Sequence, residues 1–496
     1  ALMQDQRDAL EEAGIPAAIV NSTLSTAERD DTLGAVADGR TKLVYVTPET
    51  FTTNTFLDVL RQAGVALVAV DEAHCISQWG HDFRPAYLRL AAGIAALGRP
   101  PVLALTATAG PWVRQEIIDR LTLHDPDIVA AGIDRPNLFF EVVRVEDEDD
   151  DRRVVHRLLK ETEDETRFPA PLSDKLTSVM GGSGIIFTRT TDAAEETAGW
   201  LQEWGIAADF YHGQRTAGDR ERVQQAFMAG DIRVVCATNA FGLGIDKPDI
   251  RFVIHRDVPA SLDAYYQEAG RAGRDGGLAR CVLVYRAGDL ARAAFLSSGA
   301  RLSPEDLDVL WPLLAVRGAI RFGDLAERSG LSETRVAAWL SALSDLDVVR
   351  QEGMAITVMR PDFEPSSVSD EVMERQAAYA RSRVEMMRGY AERTDCRRRY
   401  LLSYFGEAYE AERCEMCDND CLVDAVRWVA TEEPVAVDLP FDVGDRVVHE
   451  EWGPGEVELI EPDTVTILFE TVGYKRLAKE VVRDRGLLRR ADASIT

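Results

Sequence analysis

The sequence predicts an α/β protein with two parallel-sheet domains followed by three smaller domains. Short β-type runs alternate with helical patterns in two stretches of the chain, which a polar stretch separates. The runs are 42–46, 66–70 and 102–105 in the first stretch, and 184–187, 232–236, 252–254 and 281–285 in the second. Such alternation favours parallel sheets, whose ligands bind at the carboxyl ends of the strands. Chemistry is therefore expected at residues that directly follow these strands.

Five domains are predicted, at 1–133, 136–298, 302–360, 371–425 and 441–490. The charge run Glu146–Asp151 is interpreted as solvated surface or linker, the usual place of such runs. Three helical stretches and an extended tail make 302–360 winged-helix-like, with Ser332 as a helix N-cap. Residues 371–425 are helical and Arg-rich, and Gly-punctuated short strands predict a small β-barrel at 441–490.

Charge, apolar runs and cysteines limit the possible functions. The 496 residues carry a net charge of −28, which opposes contacts with phosphates. Either the chain does not bind nucleic acid, or its acidic residues lie away from the binding surface. The apolar runs are too short to span a bilayer, and the first residues do not form a signal peptide, so a cytoplasmic protein without membrane contact is predicted. Seven cysteines, four of them late in the chain, favour a metal site over disulfides.

Asp71 and Glu72 directly follow the predicted strand at 66–70. A carboxylate at a strand end can hold Mg²⁺, and the next one can orient a water at the γ-phosphate of ATP. This division of labour suits phosphoryl transfer, in which positioning and charge neutralisation do most of the work. The alternative is an ordinary helix cap.

An aromatic stretch comes next in the chain. Trp79, Phe83 and Tyr87 recur at four-residue spacing, with His81 and Arg84 between them. Aromatic rings that stack on unpaired bases are the usual means of binding single strands. Ordinary core packing would give the same spacing and remains the alternative.

The stretch Asp71–Pro85 resembles the Walker B motif and the aromatic-rich loop of RecQ-family DNA helicases. Further blocks resemble the family's motifs in the family's order: Ala1–Gln6, Thr47–Glu49, Thr106–Thr108, Arg135–Leu138, Thr238–Pro248 and Tyr266–Asp275. The resemblance spans about 1–298 and returns at 379–421. It implies two RecA-like motor domains, ATP and Mg²⁺ as cofactors, and 3′-to-5′ separation of DNA strands in repair or recombination.

The resemblance also implies roles for individual residues. The implied catalytic or nucleotide-binding residues are Asp71, Glu72, His74, Gly244, Asp246, Gln267, Arg271 and Arg274. The implied DNA contacts are Gln4, Thr47, Trp79, His81, Phe83, Arg84 and Thr238. Arg271 and Arg274 are one helical turn apart, so they could face one side and neutralise charge on the γ-phosphate across a cleft. A surface salt bridge is the alternative for this arginine pair.

Cys396, Cys414, Cys417 and Cys421 are predicted to bind a structural Zn²⁺. Their flanks resemble the zinc-binding domain of the RecQ family, although the gap before Cys421 is one residue longer than the family spacing. Around them lies the densest basic region, in which Arg397 and Arg398 are predicted to contact a duplex backbone. Helix-surface ion pairs are the alternative for these arginines. The other three cysteines, Cys75, Cys236 and Cys281, are predicted to be buried thiols.

Two features depart from the family. A winged helix follows the zinc-binding domain in the family, whereas here the winged-helix-like domain precedes it. Its helix at Ser332–Leu346 could enter a DNA groove, and a contact with protein is the alternative. The C-terminal domain resembles the small barrel of UvrD-type helicases, which implies docking of repair proteins or duplex DNA. A monomer that acts at the nucleoid is expected.

A Gly-Lys-Ser/Thr phosphate loop does not occur in the 496 residues. In the family this loop lies upstream of the position that matches Ala1, so an N-terminal truncation is expected. Two other readings stay open: a catalytically inactive DNA-binding scaffold, and an RNA helicase with the same core.

The 496 residues alone are therefore predicted to lack meaningful ATPase activity, because the groups that bind the β- and γ-phosphates are absent from them. Phosphate release in the presence of single-stranded DNA measures this activity. Turnover comparable to that of an intact motor of this class would contradict the prediction.

Overall fold

The computed structural model describes residues 2–21, 24–77, 83–160, 168–241, 245–286, 288–289, 303–316, 319–346, 348–352, 355–361, 363, 378, 381–421, 439–442, 444–460, 464–469 and 472–490. The chain packs into two units. The first is Ala1–Ala130 with Gly299–Gln376, and the second is Ala131–Ser298 with Ala377–Thr496. Across the described residues, every helix is too short or too polar to cross a bilayer.

The first 130 residues form two parallel strand pairs with helices around them. The elements are α1 (Leu2–Glu12), β1 (Ala17–Val20), α2 (Thr26–Ala37), β2 (Leu43–Val46), α3 (Pro48–Phe51), α4 (Asn54–Ala63), β3 (Val68–Val70), α5 (Leu90–Ala96), β4 (Val102–Ala104) and α6 (Pro111–Leu121). β1 pairs with β2, and β3 pairs with β4. α4 buries Phe56, Leu57 and Leu60 because these positions share one face of the helix. The three predicted strands are confirmed, and β1 is an additional strand.

The second parallel sheet has six strands. The elements are β5 (Leu138–Arg144), α7 (Glu148–Lys160), α8 (Ala170–Met180), β6 (Ser183–Phe187), α9 (Thr191–Glu203), β7 (Ala208–Tyr211), α10 (Ala217–Ala229), β8 (Val234–Ala237), β9 (Ile250–His255), α11 (Leu262–Ala269) and β10 (Ala279–Tyr285). The strand order is β5-β10-β9-β6-β8-β7, with parallel pairing throughout. Consecutive residues of a strand lie on opposite faces of the sheet, and each face has its own hydrophobic core: Ile185 lies in one core and Ile186 in the other. Two buried faces explain the continuous apolar runs, and the predicted α/β class is confirmed.

Charged groups inside this sheet modify the sequence interpretation. Glu141 on β5 and Arg280 on β10 form a buried ion pair of 2.7 Å. Asp151 belongs to the charge run Glu146–Asp151 that was assigned to solvated surface or linker, yet it is buried on α7. Its carboxylate lies 3.7 Å from Arg286 and 3.9 Å from Arg256. The assignment is wrong for Asp151, because the amphipathic α7 turns this position toward the sheet.

The winged-helix-like segment, 303–363, contains three helices and a three-stranded antiparallel sheet. The elements are α12 (Pro304–Leu314), β11 (Ile320–Arg321), α13 (Phe322–Ser329), α14 (Glu333–Asp345), β12 (Val349–Glu352) and β13 (Ala355–Val358). The Ser332 hydroxyl accepts a hydrogen bond from the Arg335 amide, as an N-cap does. The Arg89 side chain lies over the Phe322 ring at 4.9 Å and 3.8 Å from Glu333. The first turn of α14 therefore contacts protein in the same unit, and the DNA-groove and protein-contact alternatives for this helix both stay predictions.

The zinc-binding region, 381–421, shares its core with the six-stranded sheet. It contains a helix at 381–392, α15 (Arg397–Tyr404) and α16 (Asp418–Cys421). Met387, Tyr390 and Leu401 lie in the same apolar cluster as Phe140, Tyr265 and other residues of the sheet and α11. Its stability is therefore linked to that of the sheet.

The C-terminal residues form a five-stranded antiparallel sheet in the order β17-β16-β15-β14-β18. The elements are β14 (Arg446–His449), β15 (Gly453–Ile460), β16 (Thr464–Phe469), β17 (Gly473–Ala478), α17 (Lys479–Arg485) and β18 (Leu488–Arg490). The short strands that the sequence predicts within 441–490 are confirmed. Within the described residues, β17 and β18 end the sheet and do not pair with each other.

Asp151 gives the second unit a pH-dependent stability. Burial raises the pKa of Asp151 from 3.8 to about 6, and Asp257 and Asp289 add to this rise, whereas Arg286 and Arg256 oppose it. The folded state therefore holds this proton more tightly than the unfolded state, and the resulting stabilisation is lost as pH rises from 3.8 to 6. The midpoint of urea unfolding is measured for the protein and for Asp151→Asn. As pH rises through this window, the midpoint of the protein is expected to fall relative to that of the variant. A difference that is independent of pH would contradict the prediction.

Candidate functional site

Asp71 and Glu72 lie in the turn that follows β3, as the sequence predicts. The Asp71 Oδ1 accepts a hydrogen bond of 2.9 Å from the Glu72 amide. Glu72 has φ 48° and ψ 44°, a left-handed conformation that is unfavourable for a residue with a Cβ. The turn is joined to the end of β4, because Leu105 donates to Val70 and Ala73 donates to Leu105, each at 2.8 Å. Strained backbone held by its neighbours in this way is typical of functional positions.

His74 joins this turn to the predicted coupling motif. Its Nδ1 lies 2.9 Å from the Thr106 Oγ1 and 3.3 Å from the Glu72 Oε2. The Thr106 hydroxyl donates its one proton to the Thr108 carbonyl at 3.1 Å. When the Thr106 hydroxyl donates there, the His74 Nδ1 is the donor in its contact with Thr106. The carboxylate turn and the Thr106–Thr108 segment are thus linked through one buried imidazole.

The predicted DNA contacts of the first unit have different environments. Gln4 is exposed on α1 and donates to Asp8 at 3.2 Å. Thr47 caps α3, with its hydroxyl accepting from the Thr50 amide. Phe83 and Arg84 are half-buried. Trp79 and His81 lie outside the described residues.

Tyr87, the third aromatic residue of the spacing pattern, is buried. Its hydroxyl donates to the Asp71 carbonyl at 3.0 Å, and burial raises its pKa. At this position the core-packing alternative is therefore the better interpretation. The ring supports the backbone of the carboxylate turn.

Gln267 lies half-buried on α11, and Arg271 and Arg274 lie in the turn that follows it. Arg271 is buried, whereas Arg274 is exposed and donates to Asp246 at 2.6 Å. The expectation that the two arginines face one side of a helix is therefore wrong. The helix ends at Ala269, and Gly273 takes a positive φ of 58°, so the chain turns between them. Thr238 is buried after β8, and Gly244 lies outside the described residues.

Arg135 and Asn137 hold this arginine turn, residues 270–277, by its carbonyl groups. Arg135 donates to Gly270, Ala272 and Gly273 at 2.9 to 3.0 Å. Asn137 donates to Gly273 and Gly277 at 2.8 Å. The sequence alone predicts no role for these two side chains. The signal for them is the glycine spacing at 270, 273 and 276, which marks a non-helical turn whose carbonyls need donors.

The zinc-binding region supports both α11 and the segment that holds the turn. The hydroxyls of Tyr265 and Tyr390 lie 2.9 Å apart, and the Tyr404 hydroxyl donates to Asp263 at 2.7 Å. Arg398 forms an ion pair with Asp134 and donates to the Leu138 carbonyl at 2.6 Å. Arg397 binds both carboxylate oxygens of Asp418.

These contacts contradict the predicted role of Arg397 and Arg398 in DNA binding. Both side chains are nearly inaccessible, with 3% and 2% of the residue exposed. Their guanidinium groups bind Asp418, Asp134 and backbone carbonyls, so a phosphate cannot reach them. The ion-pair alternative is the better interpretation, but the pairs are buried instead of lying on a helix surface.

A candidate metal centre lies at the junction of α15 and α16. The donor atoms of Cys396, Cys414, Cys417 and Asp420 all lie within 4.8 Å of one another. Four donors around Zn²⁺ with bonds of about 2.3 Å would be about 3.8 Å apart, so this group fits a tetrahedral site. Cys421 is not in the group, so the structure brings together three of the four predicted cysteine ligands and leaves this one apart. The other three cysteines, Cys75, Cys236 and Cys281, are buried, as predicted.

The metal centre is joined to the edge of the six-stranded sheet. The Phe140 amide of β5 donates to the Met416 carbonyl at 3.1 Å, and the Val142 amide donates to the Asp418 carboxylate at 2.9 Å. β5 is the end strand of its sheet. The metal-binding loop thus satisfies backbone groups that an edge strand would otherwise present.

Replacement of Gly273 by Ala is expected to destabilise the arginine turn more than replacement of Gly276. Both glycines have positive φ, so each substitution has a backbone cost of about 1 kcal/mol. A Cβ at Gly273 would lie 2.4 Å from the Asn137 Nδ2 and 2.6 Å from the Gly277 carbonyl, whereas a Cβ at Gly276 would meet nothing within 4 Å. The clash is expected to add about 1 to 3 kcal/mol. Thermal midpoints of the two variants measure the difference, and equal losses would contradict the prediction.

Three known families match successive parts of the chain. Residues 1–116 match the DEAD/DEAH box helicase family, 170–276 match the helicase conserved C-terminal domain, and 347–421 match the RecQ zinc-binding family. A solved helicase, MrfA bound to DNA and AMPPNP, is 20% identical over 74% of this chain and 52% of its own, with a TM-score of 0.45. That likeness is too low to add to the fold described above.

Curated relatives identify the family. The ATP-dependent DNA helicase RecQ of Bacillus subtilis is 41% identical over 60% of this chain and 47% of its own length, so the chain spans about half of that relative. The probable ATP-dependent DNA helicase RecS of Bacillus subtilis is 34% identical over 86% of this chain and 79% of its own. The ATP-dependent DNA helicase RecQ of Synechocystis is 34% identical over 85% of both chains. On these matches, the chain belongs to the RecQ family of helicases.

Proposed function

We propose that this chain is the motor of an ATP-dependent DNA helicase, which separates DNA strands with 3′-to-5′ polarity in repair or recombination. The contact between His74 and Thr106 carries the proposal. It joins two carboxylates suited to phosphoryl transfer to a segment that resembles a coupling motif. A buried link of 2.9 Å between the two is a direct path by which a change at the nucleotide would reach the DNA-binding segments.

The nucleotide chemistry is assigned to Asp71, Glu72 and Arg274. Asp71 would hold Mg²⁺ through its carboxylate, and Glu72 would orient the attacking water. Arg274 is the better candidate of the two arginines to neutralise charge on the γ-phosphate, because its side chain is exposed and its partner, Asp246, faces solvent. Arg271 and Gln267 would position α11 and its turn. The strained backbone at Glu72 favours this motor over an inactive scaffold.

DNA binding is assigned to Gln4, Thr47, Phe83, Arg84 and Thr238. With them we place Trp79 and His81, which continue the same aromatic-rich stretch as Phe83. DNA is proposed over RNA because the relatives that identify the family are named DNA helicases. The C-terminal sheet is proposed to dock repair proteins, and the helicase is proposed to act as a monomer at the nucleoid.

Glu72→Gln is the first variant for testing this function, because it keeps the size of the side chain and removes its charge. Unwinding of 3′-tailed and 5′-tailed DNA duplexes, and of matching RNA duplexes, is measured on the protein as its gene encodes it. The 3′-tailed DNA is expected to be unwound fastest. Glu72→Gln is expected to reduce ATP turnover by about 10²- to 10⁴-fold while single-stranded DNA is still bound.

Arg274→Ala is expected to reduce turnover by about 10³-fold or more, the contribution of an arginine that neutralises transition-state charge. Its matched control is Arg222→Ala, because Arg222 is also exposed and also pairs with an aspartate, Asp209, at 3.0 Å. Equal turnover in both variants would contradict the role of Arg274. DNA binding without any ATP turnover would favour the scaffold, and faster unwinding of RNA would favour the RNA helicase.

A further inference from the structure

The fourth donor group in the candidate metal centre differs from the one that the cysteine pattern predicts. Three thiols and the Asp420 carboxylate converge, whereas Cys421 follows one residue later and stays outside the group. Cys414, Cys417 and Asp420 are spaced three residues apart. In a short helical segment this spacing returns side chains to one side, so Asp420 faces Cys417 across one turn.

The position of Asp420 is fixed by its surroundings. Its Oδ2 accepts a hydrogen bond of 2.6 Å from the Cys414 amide, and its backbone carbonyl accepts from Arg413. The residue is 7% exposed. A carboxylate has two oxygens with several acceptor positions, so one oxygen can accept this amide while the carboxylate binds a metal. An outer hydrogen bond of this kind orients a metal ligand.

The register of α16 is fixed independently of the metal. Asp418, its first residue, accepts two hydrogen bonds from Arg397 and one from the Val142 amide. These contacts attach α16 to both α15 and β5. A rotation of the helix that brought Cys421 to the metal in place of Asp420 would break them.

Cys421 has other neighbours. Its side chain packs against a small apolar cluster of Phe139, Phe168 and Leu176. Phe139 lies on the edge strand β5, and its ring meets that of Phe168 edge-on at 5.3 Å. A thiol packed among these rings behaves as a small hydrophobic group.

From these observations we infer that Asp420, in place of Cys421, completes the zinc site as its fourth ligand. Three thiolates and one carboxylate carry the same total charge as four thiolates, so the electrostatics of the buried site are preserved. The ligand set with Asp420 is chemically harder than four thiolates, however, because an oxygen replaces one sulfur. Softer ligands such as thiolates favour Zn²⁺ and Cu(I). Zinc binding is therefore expected to be weaker in this chain than in a variant with four thiolates.

Cobalt substitution of the purified full chain tests the ligand set, because bands from thiolate-to-cobalt charge transfer grow with the number of bound thiolates. The protein and Cys421→Ala are expected to give the same band intensity and one zinc per chain. Asp420→Cys is expected to add a fourth thiolate, with a stronger band and tighter zinc binding. Asp420→Ala is expected to weaken zinc binding by at least about tenfold, a loss that even an outer partner of a metal ligand causes.

Cys417→Ser serves as the positive control, because Cys417 is a ligand under both assignments and must lose intensity. A weaker band in Cys421→Ala would overturn the inference. So would full zinc affinity in Asp420→Ala, or an unchanged band in Asp420→Cys. Zinc affinity is measured by competition with a chelator, so none of these results depends on ATP hydrolysis.

Discussion

The layer of tyrosines between α11 and the zinc-binding region is the contact on which most of the second unit depends. Tyr265 and Tyr266 on α11 meet Tyr390 and Phe405, and burial raises the pKa of both α11 tyrosines. Aromatic groups of this size account for much of the energy of a core. Because the zinc-binding region shares this core, it cannot be lost without exposing one face of α11. The arginine turn begins where α11 ends, so its support depends on a region more than a hundred residues further along the chain.

The sequence was sufficient for features that are local or that repeat. Strand–helix alternation predicts the parallel sheets because two buried faces leave continuous apolar runs. Asp71 and Glu72 were found because they follow such a run directly. The helix bounds and the N-cap at Ser332 were likewise accessible from neighbouring residues.

Contacts between distant residues could not be predicted in this way. Arg135 binds carbonyls 135 to 138 residues away, and Arg398 binds Asp134 from 264 residues away. The sequence of a basic cluster such as Arg397–Arg399 does not show whether its side chains bind phosphates or buried carboxylates. The sequence favours Cys421 over Asp420 as the fourth ligand because Cys421 continues the cysteine pattern. Only the direction of α16 distinguishes these two candidate ligands.

The buried arginines also bear on the charge of the molecule. Arg280, Arg397 and Arg398 neutralise Glu141, Asp418 and Asp134 inside the second unit. Each pair contributes no net charge, so the remaining residues carry the whole net charge of −28. The proposed binding of DNA therefore depends on a few local cations, and we expect the affinity to fall with salt in proportion to the number of those contacts.

The backbone of Glu72 has a consequence for protein engineering. A side chain in the left-handed region costs roughly 1 kcal/mol, which glycine would avoid and asparagine would reduce. Selection or design for thermostability alone would therefore favour replacement of this glutamate. The resulting protein would melt at a higher temperature, but it would lose the carboxylate that the proposed function requires, so one substitution would raise stability and remove activity.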